Sequence, residues 1–415
     1  MVKGQVCKKG QFRLFAGRLV NPNSSQQNVL ITVENDRIAE IGPVGNATLK
    51  PGDIDAREYT VVPGLIDIHI HGSVGETFLT ECSPASRRFL ASRGTTAFLP
   101  TTTTVEREAF LAGLKQLREC ISQQRPQDGA QLLGIRCETP FLEPSLGAQK
   151  GDLCWPVNDE NIRALLDATG EDLRILDVSP ELEGVTALVT EAVERGVIVS
   201  AAHTRATAEQ MTKAFQSGIS HSTHIFNATE RPPSKAGRGT LGVGSDEFSL
   251  TNDDITAEVI ADSGGFHVSP YWLEILFRCK DKSKISLISD AVSIAGQQPG
   301  EHQRPDGNQT VLRVGEDVGW QVTKDETYLS GSALLLLDAM ANLMAHLKMD
   351  LEEVIECATI NPARVIGLEQ RKGSIEPGKD ADLVVLNDKL QVVLTMIAGE
   401  VVFQNQAGQT TNNRS

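Results

Sequence analysis

Two histidines follow short apolar runs between residues 201 and 230, separated by enough chain for one helix. His203 closes the run that begins at Gly196, and His224 closes the run that begins at Gly218. The pattern predicts a strand–helix–strand unit that presents two imidazoles from neighbouring strand ends. Because neutral imidazole is the commonest metal ligand, we expect a metal site there. His221 lies on the opposite strand face from His224 and is assigned to structure.

Four further residues that could bind a metal or move a proton lie at or near the ends of apolar runs. His69 and His71 are separated by one residue, so strand alternation places both imidazoles on one face, in a chelating geometry. Glu138 and Asp290 each follow a predicted strand. A carboxylate beside a bound metal can take a proton from water. The structural alternatives are a salt-bridge partner for Glu138 and a helix N-cap for Asp290.

These residues need a scaffold that gathers the ends of several strands. Residues 61–380 alternate predicted strands with predicted helices, and the eight predicted strands are 61–69, 95–99, 132–137, 175–178, 197–202, 218–223, 258–260 and 285–289. Eight such units predict an α/β fold of the (β/α)8 TIM-barrel type, whose active sites lie at the carboxyl ends of the strands. A doubly wound open sheet is the alternative, but the chain has no GxxxxGK[ST] motif.

The remaining segments are expected to lie outside the barrel. Residues 1–60 and 381–415 contain short predicted strands separated by turn residues, and are predicted to form one small β-sandwich from both chain ends. Residues 296–319 are polar and rich in glycine, which predicts a loop or hairpin.

Composition limits the possible partners. The 415-residue chain has a net charge of −15 without acidic blocks, which argues against a nucleic-acid surface. Its seven cysteines are scattered and lack CxxC spacing, as is typical of reduced thiols in a cytoplasmic protein. No run approaches the ~18 apolar residues of a membrane span, and the N-terminus has no apolar signal segment. We therefore expect a cytoplasmic protein with no membrane contact.

Longer motifs resemble those of the amidohydrolase superfamily, and in particular its N-acetylglucosamine-6-phosphate deacetylase branch. They extend over nearly the whole chain and include VPGLIDIHIHG at 62–72, THIFNA at 223–228, SDA at 289–291 and LSGSA at 329–333. The HxH motif is shared across the superfamily, whereas THIFNA is typical of the deacetylase branch.

The resemblance implies a divalent metal, for which we expect Zn²⁺, with Fe²⁺ or another divalent ion as alternatives. Glu138, His203 and His224 would hold one ion. His69 and His71 would permit a second ion, bridged to the first by Glu138. The number of ions stays open between one and two.

The resemblance also implies roles around the substrate. Asp290 would act as the general base and then as the general acid. The residues that would contact the substrate, an amino-sugar phosphate, are Ala148, Gln149, Asn227, Ala228, Arg238, His267, Leu329, Ser330 and Gly331. Arg238 and His267 would bind the phosphate, and such contacts imply a homodimer.

Five positions depart from the branch pattern, and they cluster around the substrate. Gln149 replaces a usual histidine, and its amide can donate a hydrogen bond but cannot become cationic. Thr139 and Thr229 replace the usual glycine and methionine. The loop 262–267 is two residues longer than usual, and Arg238 lacks the usual Glu-Pro after it.

We expect hydrolysis of N-acetylglucosamine-6-phosphate, and three alternatives remain open. The first is deacetylation of another acetamido sugar, such as N-acetylgalactosamine-6-phosphate or an unphosphorylated form. The second is hydrolysis of a cyclic amide, although many such enzymes use a carboxylated lysine where this chain has Glu138. The third is a non-catalytic sugar-phosphate-binding homologue.

Overall fold

The computed structural model describes residues 10–237, 239–322 and 326–405. The strands are β1 (Gln11–Asn21), β2 (Ser24–Glu34), β3 (Arg37–Pro43), β4 (Ile54–Pro63), β5 (Leu65–Ile70), β6 (Gly72–Ser73), β7 (Glu76–Thr77), β8 (Thr95–Pro100), β9 (Gln131–Leu132), β10 (Ile135–Cys137), β11 (Leu173–Val178), β12 (Ile198–Ala201), β13 (Ile219–Ser222), β14 (Thr256–Ile260), β15 (Ile285–Ile288), β16 (Gly300–Gln303), β17 (Gln309–Leu312), β18 (Val318–Val322), β19 (Thr327–Ser332), β20 (Leu383–Leu386), β21 (Val392–Ile397) and β22 (Glu400–Gln404).

Helices separate many of these strands. The α-helices are α1 (Pro84–Ser92), α2 (Arg107–Gln123), α3 (Asp159–Thr169), α4 (Val185–Glu194), α5 (Ala208–Ser217), α6 (Ser245–Thr251), α7 (Pro270–Cys279), α8 (Leu336–Leu347), α9 (Leu351–Val354) and α10 (Ile360–Val365). Short 3₁₀ segments span Pro126–Asp128, Gly151–Leu153, Gly170–Asp172, Lys282–Lys284 and Ile355–Ala358. Among the described residues, no helix is both long enough and apolar enough to cross a membrane.

Both chain ends contribute to one seven-stranded sheet, in the order β22-β21-β20-β4-β1-β2-β3. Strand β1 pairs antiparallel with β2 and parallel with β4, and β4 pairs antiparallel with β20. In β2, Val29, Ile31 and Val33 are buried, while the residues between them are more exposed. This alternation shows that the strand buries one face, which packs into an apolar cluster with Leu383 and Met396.

The central part of the chain forms two parallel sheets. Strands β10 to β15 pair in chain order, and β5, β8 and β9 pair in a second sheet. Every residue of β5 and β8 is buried, as expected for parallel strands covered on both faces. Each of the eight predicted strands overlaps at least one of these nine parallel strands, and the predicted strand 132–137 overlaps both β9 and β10. The sheets therefore bring the carboxyl ends of many strands to one side.

Single residue pairs link the two parallel sheets at both of their edges. Thr101 pairs in parallel with Arg136 on one side, and Ile70 pairs in parallel with Ala291 on the other. Close to the second pair, the Asp290 N–H donates to the His69 carbonyl at 3.0 Å. The chain segments that follow β5 and β15 therefore lie side by side.

An antiparallel sheet of β16 to β19 follows the parallel strands. Strands β16 and β17 and the start of β18 lie within the segment 296–319, which was predicted to be a loop or hairpin. The last strand of the sheet connects back to the parallel region, because Ser332 pairs in parallel with Ala291. The six cysteines within the described residues are all free thiols.

Candidate metal centre and active site

Six polar side chains from five strand ends converge on one point. They are His69, His71, Glu138, His203, His224 and Asp290; the first five are buried, and the Asp290 side chain is 13% exposed. His69 and His71 lie in and just after β5, and the others directly follow or lie close to the ends of β10, β12, β13 and β15. The carboxyl ends of parallel strands thus supply every group, as predicted.

Glu138 is at the centre of this group. Its Oε1 lies 3.0 Å from His203 Nε2 and 3.3 Å from His224 Nε2. Its Oε2 lies 3.3 Å from His71 Nε2, and Oε1 lies 3.5 Å from His69 Nε2. One carboxylate therefore faces four imidazoles, so it is placed to bridge two ligand groups.

Asp290 lies close to His69 and His71. Its Oδ1 lies 3.2 Å from His71 Nε2 and 3.6 Å from His69 Nε2. Burial would raise the pKa of Asp290, but the hydrogen bond from His71 and the positive charges of both imidazoles lower it to about 2. Asp290 is therefore a carboxylate at neutral pH.

Three of these residues have backbone conformations that non-glycine residues rarely adopt. The φ angles are +43° for His203, +25° for His224 and +47° for Asp290. Such conformations cost on the order of 1–3 kcal/mol each and are maintained by surrounding contacts. In each case the unusual conformation occurs just after a strand ends, at the residue whose side chain is part of the cluster.

Hydrogen bonds to the outer ring nitrogens orient the imidazoles. His203 Nδ1 lies 3.1 Å from the Leu146 carbonyl oxygen, and His224 Nδ1 lies 3.2 Å from the Asn227 carbonyl oxygen. A carbonyl oxygen can only accept, so each Nδ1 carries the proton and each Nε2 is free to act as a ligand. This orientation by the outer nitrogen is typical of metal-binding histidines.

The inner nitrogens fit a cation. His203 Nε2 and His224 Nε2 lie 3.2 Å apart, and His69 Nε2 and His71 Nε2 lie 3.3 Å apart. Two lone pairs at this distance repel unless a proton or a metal ion lies beside them. Two groups have ligand atoms close enough to hold an ion, His69–His71–Glu138 and Glu138–His203–His224. Two histidines and a carboxylate are a common ligand set for a catalytic divalent metal.

The charges of the protein groups support the same interpretation. When no ion is bound, the inner nitrogens can carry protons instead. Burial would then raise the pKa of Glu138, but the charge of His71 and the hydrogen bonds from His203 and His224 hold it well below its usual range. Burial would lower the pKa of His69, but Glu258 and Glu138 raise it to about 10. The carboxylates therefore attract positive charge to the cluster.

A buried ionic network lies beside the cluster, and the sequence analysis did not predict it as part of the site. Arg136 Nη1 lies 2.6 Å from Glu258 Oε2, and Arg136 Nε and Nη2 lie 2.9 and 3.0 Å from the Asp177 carboxylate. All three side chains are fully buried. His221 contacts this network through Glu258 and does not line the cavity, in keeping with its predicted structural role. The sequence contained one signal for this network, because Arg136, Asp177 and Glu258 are charged residues inside apolar strand segments.

A cavity of about 430 Å³ opens onto the cluster. Its lining includes His71, Glu138, His203, His224 and Asp290. The predicted substrate residues that also line it are Ala148, Gln149, Asn227, Ala228, His267, Leu329, Ser330 and Gly331. Arg238 lies outside the described residues. His69 is fully buried and does not line the cavity.

His267 and Gln149 are hydrogen-bonded to neighbouring residues in the cavity wall. His267 Nδ1 lies 3.2 Å from Asp262 Oδ2, while its Nε2 is buried and has no partner within the described structure. Gln149 Nε2 donates to the Glu143 carbonyl at 3.1 Å. Thr229, the replacement for a usual methionine, is outside the lining and donates to Asp246 at 2.6 Å.

The antiparallel sheet contributes cavity residues that the sequence analysis missed. Arg304, Asn308 and Tyr328 line the cavity. Arg304 Nη1 lies 3.0 Å from Ser330 Oγ, and Nη2 lies 2.5 Å from Asp306 Oδ2. No motif in the sequence identifies these positions, because their role depends on how the hairpin folds back over the strand ends.

Comparison with known proteins places this geometry in a family. Residues 60–402 match the amidohydrolase family. The chain is 29% identical to the N-acetylglucosamine-6-phosphate deacetylase of Bacillus subtilis strain 168, covering 93% of this chain and 95% of that protein. It is also 29% identical to the N-acetylgalactosamine-6-phosphate deacetylase of Escherichia coli O157:H7, covering 94% of this chain and 98% of that protein.

A solved structure is similar over almost the same length. It is a mutant of N-acetyl-D-glucosamine-6-phosphate deacetylase from Mycobacterium smegmatis in complex with N-acetyl-D-glucosamine-6-phosphate. The TM-score is 0.83 at 26% identity, and the match covers 95% of this chain and 100% of that chain. With the family match over residues 60–402, these similarities show that the chain belongs to the amidohydrolase family.

Proposed function

We propose that this chain is a metal-dependent hydrolase that removes the acetyl group of N-acetylglucosamine-6-phosphate, giving glucosamine-6-phosphate and acetate. The observation that carries the proposal is the convergence of Glu138, His203, His224 and Asp290 at the base of one cavity. Membership of the amidohydrolase family and similarity to sugar-phosphate deacetylases over more than nine-tenths of the chain support it.

The proposed cofactor is a divalent metal, with Zn²⁺ as the first candidate. Glu138, His203 and His224 would hold one ion, and His69 and His71 would hold a second through Glu138. When bound, such an ion polarises the substrate carbonyl and lowers the pKa of water toward ~7.

The protein groups would move the protons. Asp290 is a carboxylate at neutral pH and faces the cavity, so it would take a proton from the attacking water as the new C–O bond forms. As the amide C–N bond breaks, Asp290 would return that proton to the leaving nitrogen. Gln149 would contribute an amide N–H toward the carbonyl oxygen, because it lines the same cavity.

Other residues of the cavity lining would bind the substrate. His267 is supported as a phosphate ligand by its unpartnered Nε2 and by Asp262, which orients the ring. Asn227, Ala228 and the segment 329–331 would contact the sugar. Arg238 is proposed as a second phosphate ligand on the resemblance alone.

We also infer the assembly and the larger architecture. The parallel strands and the pairs that link their two sheets support one (β/α)8 barrel within residues 61–380. The terminal sheet supports a β-sandwich-type domain from residues 1–60 and 381–415. Exposed aromatic side chains on α7, Tyr271 and Trp272, support a homodimer. Free cysteines support a cytoplasmic location.

A second candidate substrate is N-acetylgalactosamine-6-phosphate. The Escherichia coli relative named for that substrate is as similar to this chain as the Bacillus subtilis relative named for the glucosamine derivative. The two substrates differ in the orientation of one hydroxyl group on the sugar ring. Selection between them would therefore depend on the cavity residues that contact this hydroxyl.

The test is acetate release by metal-loaded protein from four substrates: the N-acetylated glucosamine and galactosamine sugars, each with and without the 6-phosphate. We expect the highest kcat/KM with N-acetylglucosamine-6-phosphate, and a loss of about 10²-fold or more in Asp290→Asn. No acetate release from any substrate, or equal activity in Asp290→Asn, would reject the proposed function.

A further inference from the structure

Glu258, in β14, contacts two of the predicted metal ligands without facing the cavity. Its Oε1 lies 2.8 Å from His69 Nδ1 and accepts the His224 backbone N–H at 3.3 Å. The side chain is fully buried and is not part of the cavity lining. Glu258 therefore contacts the predicted metal ligands from outside the cavity, where a substrate cannot displace its side chain.

The other oxygen of Glu258 is held by positive charge. Oε2 lies 2.6 Å from Arg136 Nη1 and 3.1 Å from His221 Nε2. A buried carboxylate is unfavourable unless it is paired, and an arginine remains protonated at every relevant pH. Arg136 thus keeps Glu258 ionised, so that its Oε1 can only accept from His69.

This partner distinguishes His69 from the other histidines of the cluster. His203 and His224 donate their Nδ1 protons to backbone carbonyls, which carry no net charge. His71 Nδ1 is buried and has no partner within the described part of the chain. Among these four, His69 is the one that hydrogen-bonds to a carboxylate through Nδ1. Such a partner fixes the tautomer and makes the imidazole a more basic ligand.

We propose that Glu258 is a positioning residue that holds His69 as the Nδ1–H tautomer, so that the Nε2 lone pair of His69 binds the ion shared with His71 and Glu138. The proposal rests on the proposed metal centre and is independent of the substrate. The ring of His69 is hydrogen-bonded to a carboxylate, whereas the rings of His203 and His224 are hydrogen-bonded to backbone carbonyls.

Asp177 offers a matched control. It also pairs with Arg136 in the fully buried network, at 2.9 and 3.0 Å, and its other hydrogen bond is to the Thr223 hydroxyl rather than to the ring of a predicted ligand. Glu258→Gln and Asp177→Asn therefore each remove one negative charge beside the same arginine. Both should unfold at lower temperature than the wild type, so stability alone does not separate positioning from general support of the core.

The measurement is Zn²⁺ affinity and Zn²⁺ content per chain, by competition with a chromophoric chelator and with no substrate present. In Glu258→Gln, the ion bound by His69 should lose about 10–100-fold in affinity, whereas Asp177→Asn should bind Zn²⁺ like the wild type. Wild-type affinity in Glu258→Gln, or an equal loss in Asp177→Asn, overturns the proposal. Because the readout is metal binding, it is separate from any failure to deacetylate.

A second measurement uses the wild-type protein and remains informative if Glu258→Gln does not fold. Nitrogen NMR of Zn²⁺-loaded protein labelled with ¹⁵N-histidine reports which ring nitrogen carries the proton. We expect His69 to be protonated at Nδ1, with its Nε2 shifted by the metal. Protonation at Nε2, with no metal shift at that atom, overturns the proposal.

Discussion

Replacing Gly147 with alanine should displace a predicted metal ligand without changing that ligand. Gly147 has a φ of +80°, and a Cβ atom added there would lie 2.3 Å from His203 Nδ1 and 2.5 Å from His203 Cε1. It would also lie 2.7 Å from Gln149 Oε1. The loop that contains Gly147 lines the cavity, and it can approach His203 this closely only with a glycine at this position.

The size of the effect follows from these distances. Ordinary contact begins at 3.4 Å, so the imidazole or the loop must move by about 1 Å to accept the methyl group. That shift breaks the hydrogen bond of 3.1 Å between His203 Nδ1 and the Leu146 carbonyl, which orients the ring. A misplacement of about 1 Å at a catalytic site costs on the order of 10²-fold in rate. We therefore expect kcat to fall about 100-fold, with a loss of metal affinity.

Gly196→Ala is the matched control. Gly196 has a φ of +77°, and a Cβ atom there would meet no other atom within 4 Å. Both alanines would adopt the left-handed conformation, at a similar cost of about 1–2 kcal/mol in stability. The assay is acetate release and bound metal in both variants, alongside their free energies of unfolding. Equal activity and equal metal content in the two variants would refute the reasoning about His203.

Three further predictions address the metal, the charges and the hairpin. Removal of metal with a chelator should abolish acetate release and Zn²⁺ should restore it; persistent activity in metal-free protein contradicts a metal-dependent reaction. In metal-free protein the pKa of His69 is raised from 6.5 to about 10, so its contribution to stability is complete below pH 6.5 and is lost as the pH rises through 10. The denaturant concentration at the midpoint of unfolding should therefore decrease as the pH rises from about 7 to about 9.5, and it should decrease less in His69→Gln. An equal decrease in the two proteins rejects this assignment. Arg304→Ala removes the hydrogen bond of 3.0 Å to Ser330 Oγ and should raise KM about tenfold with little change in kcat. An unchanged KM would show that the hairpin does not position the substrate loop.

Much of the site was predictable because it depends on local rules. One residue separates His69 from His71, and strand alternation alone places such a pair on one face. His203, His224 and Asp290 directly follow or lie close to the ends of apolar runs, and parallel strands collect their carboxyl ends on one side. The structure brings all of these groups together, as the sequence analysis expected.

The supporting network was not predictable in the same way. Arg136 meets Asp177 across 41 positions and Glu258 across 122 positions of the chain. Whether these charges pair depends on the order and register of neighbouring strands, which no short motif specifies. Arg304 likewise reaches the cavity only because β16 and β17 fold back toward Ser330.

The sequence by itself determined which residue types stand at the strand ends, and therefore the metal-binding character of the site. The tertiary structure decided which nitrogen of each histidine faces inward, because hydrogen bonds to Leu146, Asn227 and Glu258 orient the rings. It also decided that one carboxylate, Glu138, faces both ligand pairs. These outcomes depend on distances of about 3 Å between residues far apart in the chain, and only the packed fold sets such distances.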